Sequence, residues 1–246
     1  MSDTTELFNL FKTERSMVSL KPKIKNNSNW GTFKDSLRAP VHSWFPYPAG
    51  FSYKAVEHAI QKFSINQFDV VYDPFCGSGT TNIVANQLGI NSIGVEAHPF
   101  IYLVVKTKMY SSYDYNIIFD GLKKIENISR QIVISQEELT REFPELVLKC
   151  FSGKTLGSLY SLREAMKKVN FSEVYANFFN LALTCILRPA ANVGTGWPYI
   201  APNKKKNGGE KNISELFKKM VFKMCADIQL MKQKRAVDAW YRIYRG

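Results

Sequence analysis

The sequence predicts an α/β fold with a parallel sheet, followed by a mainly helical region. Phe68–Tyr72, a short apolar run rich in β-branched and aromatic residues, predicts a strand, and Asn91–Glu96 is the second predicted strand. A helical segment follows each of them, Thr80–Leu88 after the first and Pro99–Met109 after the second. A glycine-rich turn separates the first strand from its helix. This β-loop-α-β-α order is typical of the start of a doubly wound parallel sheet.

The chain divides by composition into three parts. Residues 1–40 are polar and predict an N-terminal arm, whereas residues 41–115 form the α/β core and include a helix over Lys54–Phe63. Residues 116–246 are expected to be a helical insert, a possible DNA-contact region that ends in an incomplete strand. Its predicted helices are Tyr115–Ile128, Gln136–Cys150, Ser158–Val169, Ser172–Leu187 and Ile213–Arg235, with a loop over Pro189–Asn212.

The charge is strongly positive and unevenly distributed. The 246 residues carry a net charge of +12, of which +8 lies between residues 203 and 246. Such a balance suits a polyanionic partner, nucleic acid first, although a solvated lysine-rich surface has the same composition. Lys204, Lys205 and Lys206 are the predicted nucleic-acid contacts.

Several classes of protein are disfavoured by composition. No run of 18 apolar residues exists and the N-terminus lacks an apolar signal core, so no membrane association and a cytoplasmic location are expected. The four cysteines form no CxxC pair, which suggests neither a zinc site nor a disulfide framework.

The string Asp73-Pro74-Phe75-Cys76-Gly77-Ser78-Gly79-Thr80-Thr81 is the main candidate for a ligand-binding loop. Gly77 and Gly79 would let the backbone turn tightly and approach a ligand, and the amides of the helix that starts near Thr80 would point at the same place. A phosphate-binding P-loop would need a glycine where Asn82 stands, then a lysine. A dinucleotide loop would also need its third glycine there.

The acidic residues favour a cationic ligand over a pyrophosphate. Asp73 lies at the mouth of the loop, where its carboxylate would repel phosphates but attract the ammonium and sulfonium of S-adenosylmethionine (SAM). Glu96 ends the second predicted strand, 19 residues after Gly77. That spacing suits an acid that accepts hydrogen bonds from both ribose hydroxyls.

These motifs resemble those of the N6-adenine and N4-cytosine DNA methyltransferases. The loop Asp73–Thr81 is similar to the SAM motif of that family, Gly94–Phe100 to its acidic companion, and His42–Ser52 to the aromatic stretch that precedes them. The resemblance implies a Rossmann-like methyltransferase sheet, SAM as cofactor, and methylation of an exocyclic amine of DNA in a restriction-modification system. The implied cofactor residues are Tyr47, Phe51, Asp73, Pro74, Phe75, Cys76, Gly77, Ser78, Gly79, Thr80, Glu96 and Ala97.

The sequence departs from the family at the catalytic motif. Members use Asp, Asn or Ser followed by Pro-Pro and an aromatic residue to hold the target amine, and this sequence contains no Pro-Pro. The nearest string, Gly196–Tyr199, lacks a side-chain acceptor and predicts a structured loop. Since the last strand-like segment, Ala239–Arg245, ends the sequence, we expect a truncated or split member whose missing strands come from a second chain or from further sequence.

The residues exclude one other methylation chemistry and are compatible with two other functions. Cytosine-C5 methylation needs a Pro-Cys nucleophile, and no cysteine of the sequence follows proline. An RNA methyltransferase of the guanine-N2 type shares a similar glycine motif. A non-catalytic SAM-binding subunit of a two-chain enzyme would lack the catalytic motif as this sequence does.

Overall fold

A computed structural model of the chain describes residues 30–47, 49–195, 200–205, 211–234 and 238–246. Short 3-10 turns over Asp35–Arg38 and His42–Trp44 precede the first α-helix. The α-helices are α1 (Tyr53–Lys62), α2 (Thr80–Gln87), α3 (Pro99–Met109), α4 (Tyr115–Ser129), α5 (Gln136–Glu142), α6 (Glu145–Cys150), α7 (Gly153–Lys168), α8 (Glu173–Ala190) and α9 (Ile213–Lys234). The strands are β1 (Val70–Asp73), β2 (Asn91–Glu96), β3 (Val193–Thr195), β4 (Ile200–Lys205) and β5 (Tyr241–Arg245).

The main sheet is parallel, with β2 between β1 and β5. Asp73 at the end of β1 pairs with Gly94 of β2, and Glu96 at the end of β2 pairs with Arg245. The predicted α/β fold with a parallel sheet is confirmed. Its strands end together, so the residues that follow β1 and β2 lie at one edge.

One face of the sheet packs on α1 and α2. Val71 of β1 contacts a buried apolar cluster, and Asn82 of α2 donates a 3.2 Å hydrogen bond to Ser92 of β2. Ser52 caps α1, since its side chain accepts from the backbone N–H of Lys54. These contacts fix the start of α2, and therefore the glycine loop, against the sheet. The apolar cluster consists of Val56, Ile60, Val84, Ala85 and Ile90.

The chain forms two compact units, one of residues 1–112 with 224–246 and the other of residues 113–223. The first contains the parallel sheet. The second is helical and has an aromatic core, in which the rings of Phe178 and Phe179 pack edge to face at 5.5 Å. Residues 224–246 therefore group with the α/β core, whereas composition had joined them to the helical region.

Two predicted elements of the helical unit were wrong. The single helix over Gln136–Cys150 is two helices, α5 and α6, because Pro144 cannot continue a helix and holds Phe143 in an extended conformation. The predicted loop Pro189–Asn212 contains the antiparallel strands β3 and β4. The two strands stabilise each other by backbone hydrogen bonds. A short, polar segment gives no sign of such pairing in its own sequence.

The helices within the described ranges are too short or too polar to cross a membrane.

Candidate functional site

The glycine loop connects the carboxyl end of β1 to the amino end of α2. Its backbone is held by two hydrogen bonds, one from Cys76 N–H to the Val95 carbonyl at 3.0 Å and one from Gly79 N–H to the Cys76 carbonyl at 2.8 Å. Gly77 has a φ of +52° and Gly79 a φ of +86°. Side chains are disfavoured in this left-handed region, so the turn requires glycine at both positions, as the sequence predicted.

Both glycines also lie in close contact with neighbouring side chains. A Cβ at Gly79 would be 2.5 Å from Cγ2 of Val105 in α3, and a Cβ at Gly77 would be 2.8 Å from Cε1 of Tyr47. The Tyr47 ring therefore packs directly against the loop backbone. The structure thus brings Tyr47, predicted as a site residue from the preceding aromatic stretch, to the loop.

Two carboxylates occupy the ends of neighbouring strands. Asp73 Oδ1 accepts a 3.1 Å hydrogen bond from the backbone N–H of Phe75, and Glu96 Oε1 accepts one of 2.7 Å from that of His98. Burial raises the pKa of the Tyr47 hydroxyl, and the Glu96 carboxylate raises it further. The two acids therefore follow neighbouring strands, and the charge of Glu96 acts on the Tyr47 hydroxyl.

Cys76 follows Asp73 by three residues, and its N–H bonds to the carbonyl of Val95, the neighbour of Glu96. Burial, with Asp73 and Glu96 nearby, raises the pKa of its thiol to about 12. The thiol therefore stays protonated at neutral pH and is a poor nucleophile. With both acids acting on the thiol, the loop carries a negative potential.

The loop also contains a buried polar atom without a hydrogen-bond partner among the residues that the structure describes. The Ser78 side chain is 2% exposed, and its Oγ makes no hydrogen bond. Buried hydroxyls are normally paired because an unpaired one costs about 1–3 kcal/mol. A ligand with a polar group near Ser78 would satisfy it. The loop, the acidic pair and this hydroxyl fit a small, positively charged, polar molecule.

The remaining predicted residues differ in exposure. Thr80 is buried in the first turn of α2, whereas Phe75 is 89% exposed. Pro74 and Ala97 are also exposed. Phe51 is partly exposed just before α1, and its backbone carbonyl accepts from the Ser36 hydroxyl at 3.5 Å. The loop and Glu96 therefore lie together at the ends of β1 and β2, whereas Phe51 lies near Ser36.

A buried polar network supports the aromatic stretch, and sequence reasoning missed it. Asp227 of α9 is fully buried and accepts hydrogen bonds from the Trp44 indole at 2.9 Å and from the Val41 N–H at 3.3 Å. Lys108 of α3 donates to the His42 carbonyl at 3.3 Å. An aspartate among apolar positions of α9 was the available signal, but its partners are some 183 residues away.

Two predicted sites fall on side chains outside the described part of the chain. Gly196–Tyr199 and Lys206 lie in the gaps of the structure. For Lys204 and Lys205 the backbone is described and forms β4, where Lys205 pairs with Val193.

Comparison with known proteins gives a consistent result. Residues 6–107 match the family model for DNA methylases of the N6/N4 methyltransferase type. The chain is 34% identical over 137 residues to the Type II methyltransferase M.BsoBI of Geobacillus stearothermophilus, which is 55% of this chain and 26% of that protein. It is 30% identical over 148 residues to the Type II methyltransferase M.MjaII of Methanocaldococcus jannaschii, or 57% of this chain and 27% of that protein.

The matching segment is only a small part of each relative. The chain spans about a quarter of the length of these two methyltransferases. The Type II methyltransferase M.AvaI of Nostoc is 27% identical over 77 residues, or 31% of this chain and 16% of that protein. No solved structure gave a significant match.

Proposed function

We propose that the chain belongs to the N6-adenine and N4-cytosine DNA methyltransferase family and forms the SAM-binding part of an enzyme that methylates an exocyclic amine of DNA. The enzyme would serve a restriction-modification system, as the relatives' designation as Type II methyltransferases suggests. The observation that carries the proposal is the pair of carboxylates, Asp73 and Glu96, at the ends of adjacent parallel strands around a glycine loop.

The residues of the loop would bind SAM by charge and by hydrogen bonding. Glu96 would accept hydrogen bonds from the ribose hydroxyls, and Asp73 would stabilise the positive charges of the cofactor. Ser78 would gain the partner that its buried Oγ lacks among the described residues, and the Tyr47 ring would cover one side of the ligand. SAM supplies an electrophilic methyl group when it is bound.

Methyl transfer from SAM to an amine depends on positioning of the reactants and needs no covalent nucleophile on the protein. An amine can attack a methyl group directly when it is held in line, so orientation and exclusion of water provide the rate enhancement. Cys76 would take no part, because its thiol pKa of about 12 keeps it protonated. The role of this chain would be to hold SAM, the methyl donor, in position.

The acceptor of the target amine would come from polypeptide outside this sequence. The family holds the amine with an Asp-, Asn- or Ser-Pro-Pro-aromatic motif, and the 246 residues contain no Pro-Pro. The same observation favours a second candidate function, a SAM-binding subunit that acts only with a catalytic partner. Both candidates predict that this chain alone transfers no methyl group.

Calorimetry with SAM tests the cofactor site. Replacing Glu96 with Ala should weaken binding by about 1.5–3 kcal/mol, because hydrogen bonds to a charged acceptor are lost. Glu137→Ala, which removes an exposed glutamate of α5, is the matched control and should bind SAM as the parent does. Equal affinity in the Glu96 variant would rule out the ribose role.

A transfer assay tests the need for a further segment. The isolated chain is incubated with tritiated SAM and genomic DNA, and label in the DNA is counted. We expect SAM binding without label transfer. Multiple turnovers by the isolated chain would show that the amine acceptor lies within these 246 residues.

A further inference from the structure

The backbone of Val41 has a rare and strained conformation. Its φ is +63° and its ψ is −47°, and the N–H of His42 donates a 2.7 Å hydrogen bond to the carbonyl of Pro40. Together these features define a γ-turn of the strained type, in which the central residue has a positive φ. A β-branched side chain fits that region poorly, so the surrounding contacts must hold the turn in place.

Two buried charged side chains hold this turn. Asp227 of α9 is fully buried, and its Oδ2 accepts hydrogen bonds from the N–H of Val41 at 3.3 Å and from the Trp44 indole at 2.9 Å. Lys108 of α3 is 5% exposed, and its ammonium donates a 3.3 Å hydrogen bond to the carbonyl of His42. The backbone before Val41 and the backbone after His42 are therefore each fixed by a buried charge.

Stability alone is a poor explanation for this combination. Burying a carboxylate or an ammonium is costly, and apolar residues of similar volume often stabilise a fold as well or better. Strained backbone persists only where its surroundings enforce it, and it concentrates at sites that bind ligands or carry out chemistry. The strained turn and the two charges thus point to a geometry that a nearby site requires.

The nearest candidate site is the glycine loop, which the chain reaches six residues after Val41. The 3-10 turn His42–Trp44 follows the γ-turn, and the Phe45 ring then packs edge-on against Phe100 of α3 at 5.5 Å. The Tyr47 ring comes next and packs on the loop backbone at Gly77. The position of the Tyr47 ring therefore depends on where the turn is held.

We propose that Asp227 and Lys108 are positioning residues for the binding of SAM. They hold the strained turn, and the turn places the Tyr47 ring against the glycine loop. Each acts through Tyr47 rather than on the cofactor directly. The inference rests on the proposed function, because it takes SAM to be the ligand of the loop. It gives a residue of α9, far along the chain from the loop, a role in cofactor binding.

A double-mutant cycle on SAM affinity, measured by calorimetry, tests the route through Tyr47. Asp227→Ala should weaken SAM binding at least about fivefold, because the turn loses the acceptor that holds it. In a Tyr47→Ala background the same substitution should change the affinity by less than about twofold, since the group through which it acts is absent. Asp227→Asn keeps an acceptor oxygen and should recover part of the affinity.

Two further variants separate positioning from a loss of stability. Ile228→Ala shortens the buried neighbour of Asp227 on α9, so it should lower the unfolding temperature but change SAM affinity by less than about twofold. Lys108→Met keeps the length of the side chain but cannot donate to the His42 carbonyl. It should weaken SAM binding when Tyr47 is present and not in the Tyr47→Ala background. This variant carries the test if Asp227→Ala does not fold.

Three outcomes would overturn the proposal. They are equal losses for Asp227→Ala in both backgrounds, full SAM affinity in both the Asp227→Ala and Lys108→Met variants, and a loss in Ile228→Ala as large as that in Asp227→Ala. The parent protein separates this inference from the proposed function. A parent that does not bind SAM would contradict both, whereas a parent that binds SAM through Glu96 without coupling between Asp227 and Tyr47 would contradict this inference alone.

Discussion

The Trp44 indole nitrogen donates a 2.9 Å hydrogen bond to Asp227 Oδ2, and both side chains are buried. The two residues are 183 positions apart. The contact joins the turn that precedes Tyr47 to the C-terminal half of α9. Because Tyr47 packs on Gly77, this bond helps to fix one wall of the candidate cofactor site.

Replacing Trp44 with Phe should destabilise the protein by about 1.5–3 kcal/mol, because the buried carboxylate of Asp227 loses a donor while most of the ring packing stays. Urea unfolding followed by circular dichroism measures the change. Trp240→Phe is the control, since Trp240 is 47% exposed, and it should change stability by less than about 0.5 kcal/mol. A Trp44 variant as stable as the control would deny the bond a structural role.

The stability of the protein should fall below pH 6.5 through His42. Burial, and then the positive charge of Lys108, lower the pKa of His42 from 6.5 to about 3, while its ring stacks on Tyr53 at 5.4 Å. Between these values the unfolded chain binds a proton that the folded chain does not. The free energy of unfolding should therefore drop by about 1.4 kcal/mol per pH unit, or about 2 kcal/mol from pH 6.5 to 5.

Carboxylates titrate in the same range, so the test is a difference between variants. Urea unfolding at pH 6.5 and pH 5 should show a smaller loss of stability in His42→Gln than in the parent. His98→Gln, at an exposed histidine, should keep the parent's pH dependence. Identical dependence in all three proteins would contradict the buried neutral state of His42.

Substituting Gly79 with Ala should cost about 1–3 kcal/mol of stability. The alanine would have a φ of +86°, and its Cβ would lie 2.5 Å from Cγ2 of Val105, which is fully buried. Gly31→Ala is the matched control, because a Cβ there meets no atom within 4 Å. Thermal unfolding should separate the two variants. Adding Val105→Ala to the Gly79 variant should restore only part of the loss, since the backbone strain remains.

The Cys76 thiol should resist alkylation in the folded protein. With a pKa of about 12, only about one molecule in ten thousand carries the thiolate at pH 8. Mass spectrometry after iodoacetamide treatment should find Cys76 unmodified in buffer and modified in guanidinium chloride. Rapid labelling under native conditions would show an activated cysteine and reopen a covalent role.

The basic C-terminal region should bind DNA through phosphates. An alanine triple variant of Lys204–Lys206 should weaken binding equally on unrelated sequences and reduce the salt slope by up to about 2.7, if each lysine neutralises one phosphate. Fluorescence anisotropy at several salt concentrations measures both quantities. The control removes three exposed lysines of the helical unit, Lys123, Lys124 and Lys168. A flat salt dependence in the parent would reject phosphate contacts, as would a loss on one sequence only.

Local signals predicted the elements around the site closely. Strand β2 and helix α3 have the predicted bounds, because alternation and helical spacing reflect interactions between residues near in sequence. Elements whose formation depends on a partner elsewhere in the chain were predicted less well. Strands β3 and β4 stabilise each other, and neither signals itself alone.

The sequence by itself determined the loop from Asp73 to Thr81. Positive φ angles favour glycine, and the negative charge of the acidic residues is evident from their identity alone. Only the tertiary structure decided that Tyr47 packs on Gly77 and that Asp227 accepts a hydrogen bond from Trp44. Those relationships join residues far apart in the chain. They arise from packing and burial, which depend on where every segment lies and leave no periodic trace in any one of them.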